Sequence, residues 1–410
     1  MCGFFRRLFS RSPSVGGRGY RIALVTFLHP GRSDLPGRLF PLIDTLRQVS
    51  EELFLVSGFA LIRDDDRCRS KLEERTGGGK PSLWSTAVRL IVLGEIATSL
   101  RLAFVVKSIN YVVFFHFPPL VLPPLVARLR GAKSVFLLSG SGRREVLAKI
   151  RNRVVALPIL VVYRSLEVVC YSLVDRVAVL SEGMIGFLGL DDYRHKTIVF
   201  NPLCVDTELF RVMTAWEDRP FVVGFVGRLS PEKGVMNFIE AMTLVLKSRR
   251  DVSALIVGDG VLREDICRRL RAAGAEESIT VTGWVPQAEV ARFLNGMKLV
   301  VFPSYSEGLP KAIGEAMACG TPVLATPVGG VPDIVIHGRT GLILRDNSPE
   351  QIAECVLRAL DSGELAAVSR NARAFVEERF SPHVVVRRVK SELDGLRRGA
   401  ESGAIAGNGC

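Results

Sequence analysis

The sequence predicts an α/β protein built from two domains, each formed around a parallel β-sheet. Short apolar runs alternate with helical segments along the chain, as expected when crossover helices connect parallel strands. This alternation begins near residue 21, closes near residue 202 and restarts near residue 215. A chain of 410 residues is too long for one ordinary domain and suits two domains of about 180 to 200 residues each.

The first predicted domain covers residues 20–205 and follows a flexible leader at residues 1–19. The loop after its first strand is rich in turn-forming residues and contains Gly31 and Gly37. A helix is predicted from Leu39 to Glu51, after this loop. Buried strands are predicted at residues 21–27, 53–56, 111–116, 133–138, 175–181 and 197–202.

The second predicted domain covers residues 206–380 and repeats the alternation of strands and helices at a similar size. A charged helix at residues 381–397 is predicted to cross back to the first domain, and residues 398–410 are predicted to be a disordered tail. Buried strands are predicted at residues 220–227, 254–258, 278–283, 299–303 and 322–325.

Two long segments of the first half are unusually apolar. Residues 83–106 are interrupted by three charged residues spaced six apart. One interpretation is a helix packed against the sheet, and the other is a helix lying at a membrane interface. The interruptions argue against a membrane-spanning helix. The second segment, residues 154–173, carries only Arg164 and Glu167 as charged residues.

The charge balance favours phosphate-bearing partners. Lys and Arg number 54 against 42 Asp and Glu, so the formal net charge is +12. Such an excess attracts nucleic acid, anionic membranes and nucleotide substrates alike. No segment resembles a nucleic-acid-binding module and only 8% of residues are aromatic. Peripheral contact with a membrane surface is therefore favoured over nucleic-acid binding.

The cysteines indicate a reducing compartment. The chain has eight of them, scattered and without a CxxC pair, which suggests neither a zinc site nor a disulfide framework. The short basic N-terminus lacks the long apolar core of a signal peptide. A cytoplasmic protein, peripheral on the cytoplasmic membrane face, is the expectation.

One segment of the second half combines two glutamates with clear helix boundaries. The apolar run 299–303 is followed by Glu307, by a proline that suits a first helical turn, by Glu315 and by a glycine that suits a helix end. The pattern predicts a carboxylate pair and free backbone N–H groups at the carboxyl edge of a parallel sheet, where α/β proteins bind ligands. The alternative is a solvated helix end whose glutamates complement the helix dipole.

This segment, from Ser306 to Thr326, resembles the two-glutamate signature, E-x7-E, of retaining glycosyltransferases of the GT-B fold, notably glycosyltransferase family 4. Its glycine and proline positions and its flanking strands match the signature as well as the glutamates do. The resemblance is specific over residues 195–395 and only general over the first half. It implies a GT-B architecture, in which two Rossmann-like domains with parallel sheets face each other across a cleft.

A basic loop after the first strand of the second half matches the same family. Residues 227–234 have the sequence Gly-Arg-Leu-Ser-Pro-Glu-Lys-Gly, so Arg228 and Lys233 lie five residues apart. A planar guanidinium and a compact ammonium on one loop suit the two sides of a diphosphate. The resemblance implies that both cations bind the donor diphosphate and that, with Glu307, they form the catalytic set.

The resemblance also implies which residues bind the rest of a nucleotide-sugar donor. Glycine-rich strand ends would line the base mainly through backbone groups, Glu315 would accept hydrogen bonds from ribose hydroxyls, and Glu307 would lie near the donor sugar. The donor-binding residues implied are Gly31, Gly37, Gly260, Val285, Gly308, Leu309 and Glu315.

No metal ion or other cofactor is expected. Negative charge develops on the departing nucleoside diphosphate as the glycosidic bond breaks, and Arg228, Lys233 and a helix dipole would stabilise it by electrostatic preorganisation. The sequence has no Asp-x-Asp motif with suitable flanks, because the acidic runs at 64–66 and 191–192 indicate solvated turns. The resemblance implies metal-independent transfer from a UDP-sugar or a GDP-sugar.

The first domain is expected to bind a glycan or lipid-linked acceptor. In many relatives a histidine follows the strand that here ends at Leu138, whereas this chain has Ser139. His116 is a candidate replacement, although a core or capping histidine is an equal alternative. The apolar helices and the positive charge favour an acceptor held at a membrane.

These features predict a retaining hexosyltransferase of polysaccharide or glycolipid biosynthesis. One alternative is a phosphorylase or sugar-phosphate synthase of the same fold, but a phosphorylase requires a pyridoxal-phosphate lysine and a far longer chain. The other is a catalytically weakened homologue that serves as the partner subunit of an active transferase. The missing first-domain histidine leaves this second alternative open.

Overall fold

Two β-sheets form the frame of the molecule, one in each half of the chain. The structure is a computed structural model. It describes residues 20–26, 35–56, 61–63, 96–103, 105–106, 109–115, 121–138, 143, 153–201, 204–220 and 222–405. The predicted leader, the first half of the apolar segment 83–106, His116 and Ser139 lie outside these residues.

The first domain contains seven strands in the order β3-β2-β1-β4-β5-β6-β7. The β2–β3 pair is antiparallel and the other pairs are parallel. Its strands are β1 (Tyr20–Thr26), β2 (Ser50–Val56), β3 (Leu61–Arg63), β4 (Tyr111–Phe115), β5 (Lys133–Leu138), β6 (Arg176–Val179) and β7 (Thr197–Val199). Its helices are α1 (Leu35–Val49), α2 (Leu122–Leu129), α3 (Arg153–Leu173) and α4 (Gly183–Leu188).

The second domain has a wholly parallel sheet of six strands in the order β10-β9-β8-β11-β12-β13. Its strands are β8 (Val222–Val226), β9 (Ser253–Val257), β10 (Ile279–Val281), β11 (Leu299–Phe302), β12 (Val323–Ala325) and β13 (Leu342–Ile343). Its helices are α5 (Val235–Ser248), α6 (Arg263–Ala272), α7 (Gln287–Asn295), α8 (Lys311–Ala318), α9 (Pro349–Asp361) and α10 (Leu365–Phe380).

Apolar layers cover both faces of each sheet, which explains why the strands are continuous apolar runs. In β1, Ile22 and Leu24 pack on one side of the sheet while Ala23 and Val25 pack on the other. The last helix, α11 (Pro382–Ile405), follows the second domain and packs against α1 of the first. The Tyr111 hydroxyl donates a 3.4 Å hydrogen bond to a backbone carbonyl of this helix.

Two strands are additional to the sequence predictions, and two helix ends differ from them. The additional strands are the antiparallel strand β3 and the two-residue strand β13. Helix α1 begins at Leu35 rather than Leu39 and runs directly into β2. Helix α11 continues to Ile405, so residues 398–405 are helical and not a disordered tail. Short strands and helix ends carry the weakest periodic signal, which accounts for these differences.

Candidate active site

The candidate site lies where the strand order of the second sheet reverses. β8 and β11 are neighbours although three crossover connections separate them along the chain. The helices that follow these two strands therefore leave on opposite faces, and a crevice opens between their loops. The predicted basic loop follows β8 and the predicted glutamate segment follows β11.

Close backbone packing joins these two loops. Gly234 ends the first loop with a φ of 68°, and a Cβ placed on it would lie 2.0 Å from the Pro303 carbonyl oxygen. The Tyr305 backbone N–H donates a 2.9 Å hydrogen bond to the Glu232 carbonyl. Only glycine has both the backbone conformation and the small size that this approach requires. The two loops therefore form one rigid unit.

An ion pair between these loops lies at the centre of the site. Lys233 Nζ donates a 2.6 Å hydrogen bond to Glu307 Oε1, although the two residues are 74 positions apart in sequence. The Ser304 hydroxyl donates a second bond of 2.7 Å to the same oxygen. The Glu307 side chain is 7% exposed and that of Lys233 is 24% exposed. Because two donors hold a nearly buried carboxylate, Glu307 has a fixed orientation.

Helix α8 begins at Lys311, directly after this carboxylate. Pro310 precedes it in an extended conformation and gives no side-chain cap to the helix. The first backbone N–H groups of α8 therefore face the crevice with the positive end of the helix dipole. Glu315 lies one turn further along, 3.2 Å from Lys311 Nζ. The atom that pairs with Lys311 is the buried Oε1, and no other donor among the described residues is hydrogen-bonded to it, so it keeps part of its acceptor capacity for a ligand.

The loops after β9 and β10 extend the same edge of the sheet. The Leu229 N–H donates to the Asp259 carbonyl at 2.9 Å, and the Gly258 N–H donates to the Gly283 carbonyl at 3.1 Å. A Cβ on Gly260 would lie 2.4 Å from the Leu229 carbonyl oxygen. Val285 follows in the next turn and is half-buried. Three loops are thus held together by backbone contacts, as a shallow wall beside the ion pair.

A glycine turn connects this site to the first domain. The Gly330 N–H donates a 2.7 Å bond to the Gly308 carbonyl, and a Cβ on Gly330 would lie 2.7 Å from the Ser181 hydroxyl. Three residues after Gly330, Asp333 Oδ2 accepts a 3.0 Å bond from the Gly183 N–H at the start of α4. The glycine turn that packs on the glutamate segment therefore contacts the loop after β6 of the first domain.

The structure brings most of the predicted site residues to one edge of the second sheet. Lys233, Glu307 and Glu315 lie around the start of α8, and Arg228 is exposed on the β8 loop. The others on this edge are Gly260, Val285, Gly308 and Leu309. Their roles as donor-binding groups stay predictions.

The first-domain candidates have a different outcome. Gly31 lies outside the described residues. Gly37 lies in the first turn of α1 and not in the preceding loop, because that helix begins four residues earlier than predicted. In the part of the chain that the structure describes, no three His, Cys, Asp or Glu side chains are grouped to hold a metal ion. Metal-independent transfer stays a prediction.

Sequence reasoning missed two groups that shape the site. Ser304 lies two residues after the end of strand β11, and a hydroxyl at the carboxyl end of a parallel strand is a recognisable signal. The Gly329–Gly330 pair follows strand β12, and paired glycines after a strand signal close backbone approach. Asp333 gave no comparable signal, because its partner belongs to the other domain.

Comparison with known families locates the match in the second domain. Residues 206–375 match the family model of glycosyl transferases group 1, which is less than half of the chain. Alpha-D-kanosaminyltransferase of Streptomyces kanamyceticus is 33% identical over 166 residues, which cover 40% of this chain and 43% of that protein. The amylovoran biosynthesis glycosyltransferase AmsK of Erwinia amylovora is 29% identical over 186 residues, or 43% and 46% of the two chains. The chain thus spans less than half the length of these curated relatives.

Solved structures resemble the whole chain in fold. Alr3699/HepE of Anabaena, in complex with UDP, has a TM-score of 0.68 with 18% identity and covers 92% of this chain and 100% of its own. The sucrose-phosphate synthase tll1590 of Thermosynechococcus elongatus has the same TM-score and identity, covering 93% and 100%. The predicted architecture of two Rossmann-like domains is confirmed, and it is the GT-B fold.

Proposed function

We propose that this chain is a retaining glycosyltransferase, close to glycosyltransferase family 4, that moves a hexosyl unit from a nucleotide-diphosphate sugar to an acceptor. The observation that carries the proposal is the Lys233–Glu307 contact of 2.6 Å at the start of α8. The family match of residues 206–375 includes both residues. A UDP-containing structure among the fold relatives supports a nucleotide-sugar donor.

The charge at the site suits a diphosphate. Arg228, Lys233 and Lys311 bring three cations, and Glu307 and Glu315 bring two carboxylates. The free N–H groups of α8 add the positive end of the helix dipole. A diphosphate placed against Arg228, Lys233 and α8 would be bound by donors that are already fixed, which is the condition for electrostatic stabilisation of a leaving group.

The reaction follows from this placement. The bond from the anomeric carbon to the diphosphate oxygen breaks, its electron pair stays on the diphosphate, and an acceptor hydroxyl oxygen bonds to the same face of the sugar. The acceptor's proton passes to the departing diphosphate. The cations and α8 would lower the barrier by stabilising the developing charge. Glu315, with its buried acceptor oxygen, would hold the ribose, and Glu307 would orient Lys233 and lie near the sugar.

We propose a glycan or lipid-linked acceptor bound by the first domain, at the cytoplasmic face of a membrane. Two relatives support an acceptor rich in hydroxyl groups, since one is named for amylovoran biosynthesis and another is a 2-deoxystreptamine glucosyltransferase. No cofactor or metal ion is part of the proposal.

A donor panel tests the proposed function. The full chain is mixed with UDP-glucose, UDP-galactose, UDP-N-acetylglucosamine and GDP-mannose, and release of UDP or GDP is measured with and without EDTA. We expect one donor to be hydrolysed slowly without acceptor and EDTA to have no effect. Binding of UDP and GDP is measured in parallel by calorimetry.

Site variants make this test specific. Lys233→Gln is expected to lower turnover about 10² to 10³-fold, as loss of one preorganised donor does, and Glu315→Gln is expected to weaken nucleotide binding. Lys247→Gln, at an exposed position on the same α5 side of the domain, is the matched control. Absence of both binding and turnover would refute the proposal. Binding without turnover would favour the partner-subunit alternative.

A further inference from the structure

Helix α3 of the first domain exposes a wide apolar face. Leu157, Val161 and Val162 are 62%, 58% and 59% exposed. Leu166, Val168 and Val169 continue this face along the helix, each about two fifths exposed. Six large apolar side chains in thirteen residues is far more than the isolated exposed apolar residues of an ordinary surface. We call these six residues the α3 apolar face.

The opposite side of α3 belongs to the core of the domain. Ala156, Cys170 and Tyr171 are buried there, and Tyr171 packs edge-on against Phe136 of β5. By length and composition alone, Ala156–Leu173 is apolar enough to cross a membrane, and 22% of it is buried in the domain. A helix with one side built into a sheet-based core can lie on a bilayer but cannot cross it without dismantling that core.

Arg164 and Glu167, the charged residues of α3 between Ala156 and Leu173, are turned away from this face. Arg164 and Glu167 lie 3.4 Å apart, and Arg143 approaches the same carboxylate at 3.5 Å. Glu167 is buried and Arg164 is half-buried. The exposed positions between Leu157 and Ser172 therefore carry no charge, and nothing electrostatic opposes contact with an apolar phase.

Cations gather at the carboxyl end of α3. Arg128 donates to the Ser172 carbonyl at 3.2 Å, and Lys196 donates to the Val174 carbonyl at 3.0 Å. Arg176 donates to the Asp175 carbonyl at 3.1 Å, and Lys133 pairs with the Asp175 carboxylate at 3.2 Å. We call Arg128, Lys133, Arg176 and Lys196 the basic cluster. It holds four cations around one carboxylate, so it keeps a net positive charge.

The cations of the cluster are close enough to repel each other. Burial, together with the neighbouring Arg128 and Arg176, lowers the pKa of Lys196, and Asp175 only partly opposes this. Carbonyl groups at a helix end favour nearby cations, but they do not neutralise four. An anion bound here would relieve the repulsion.

We propose that the α3 apolar face and the basic cluster form a docking surface for an anionic phospholipid bilayer. An apolar helix face that enters the headgroup layer, next to cations that meet lipid phosphates, is the arrangement of an interfacial helix. Charge complementarity favours this occupant over a second copy of the chain, because two copies related by symmetry would bring two positive clusters together. Leu129 of α2, 76% exposed, extends the apolar surface.

Vesicle sedimentation tests this proposal with the full chain and no donor present. We expect the wild type to bind vesicles that contain phosphatidylglycerol, and to bind pure phosphatidylcholine vesicles much more weakly. A Val161→Asp/Val162→Asp double variant is expected to lose about a hundredfold in affinity, because two apolar groups no longer enter the bilayer. Lys196→Gln is expected to lose about fivefold, the effect of one cation near an anionic surface, and added salt should remove that difference.

Matched controls lie in the second domain. Val261→Asp changes a valine that is 81% exposed, and Arg250→Gln changes an exposed cation. Neither is expected to alter vesicle binding. Thermal unfolding checks that all variants fold. If the double variant does not fold, Val162→Trp replaces it, and its fluorescence is expected to shift to shorter wavelength with phosphatidylglycerol vesicles only.

Several results would overturn the proposal. The wild-type chain could stay in the supernatant with the vesicles absent from its fraction. The α3 variants could bind vesicles as tightly as the wild type does. Vesicles could also leave the fluorescence of Val162→Trp unchanged. A wild-type dimer that the double variant converts to a monomer, without vesicle binding, would show that a second copy covers the face. This inference deepens the membrane placement in the proposed function. Since no donor is used, vesicle binding and glycosyl transfer can fail separately.

Discussion

The two domains treat their cations in opposite ways. In the second domain, the Arg219 guanidinium is 3% exposed and donates to Cys319 O at 2.7 Å, Thr321 Oγ1 at 2.9 Å and Met297 O at 3.2 Å. Lys298 is also buried, with its ammonium 4.3 Å from the centre of the Trp216 ring. In the first domain, the basic cluster lies at the surface around Asp175. The second domain buries such cations as internal hydrogen-bond donors, and the first domain keeps them partly exposed at its surface.

This difference corresponds to the proposed tasks of the two domains. A donor site needs fixed loops. Arg219 holds together the carboxyl-terminal ends of α7 and α8, the two helices whose amino-terminal ends adjoin those loops. A docking surface needs exposed charge and exposed apolar area instead. Sheets with the same strand order therefore support a rigid site in the second domain and a contact surface in the first domain.

Replacement of Arg219 is expected to have the largest effect on stability. Arg219→Met keeps the side-chain volume but leaves several buried carbonyl groups without a donor, so we expect a loss of about 3 kcal/mol in the free energy of unfolding. Burial lowers the pKa of Arg219 to about 10, and the residue is still charged at neutral pH. Urea unfolding followed by tryptophan fluorescence measures the loss. Arg250→Met, on the exposed surface, is the control, with a change below about 0.5 kcal/mol. Equal stability of the two variants would contradict the role of Arg219.

The contact between the domains is expected to have an intermediate effect. Asp333→Asn removes the charge that accepts the Gly183 N–H but keeps the size of the side chain. Because this bond is exposed to solvent, we expect about a fivefold loss in kcat/KM, equivalent to about 1 kcal/mol. Asp265→Asn, at an exposed position of α6, serves as the control. A loss of thermal stability in place of a loss in kcat/KM would show that Asp333 only stabilises the fold.

The smallest effect is expected at Asp175. Burial disfavours the ionised carboxyl, but the Ser134 N–H and the Lys133 ammonium outweigh burial and hold its pKa below the ordinary value. Asp175 therefore stabilises the fold above its unfolded-state pKa of about 4, and the contribution is lost as pH falls through the lower folded-state pKa.

The Asp175→Asn variant tests the direction of this pH dependence of stability. Since the carboxylate is partly exposed, we expect a loss of about 1 kcal/mol or less at pH 7. In thermal unfolding this loss should shrink towards zero as the pH falls through the lowered pKa of Asp175. A difference that grows as pH falls would contradict the assignment. Vesicle binding of Asp175→Asn should stay the same or increase, because the basic cluster loses its carboxylate.

Most of the fold and the donor side of the candidate site were predictable from local patterns. Buried strands were apparent because a strand covered on both faces is a continuous apolar run, and the start of α8 was apparent because proline and glycine mark helix boundaries. The two-residue strand β13 was not predictable, because two residues are too few to show a periodic pattern. Ser304 and the Gly329–Gly330 turn gave usable signals that were overlooked.

The sequence by itself determined which residues are apolar, where the chain turns and which loops bear the glutamates and the basic pair. The tertiary structure decided which of these meet. It brought Lys233 to Glu307 across 74 residues and Asp333 to Gly183 across 150. It also decided that the apolar helix α3 is covered on one side only. The type of a side chain determines how unfavourable its exposure to water is. Whether the side chain is exposed depends on which neighbours the fold places over it.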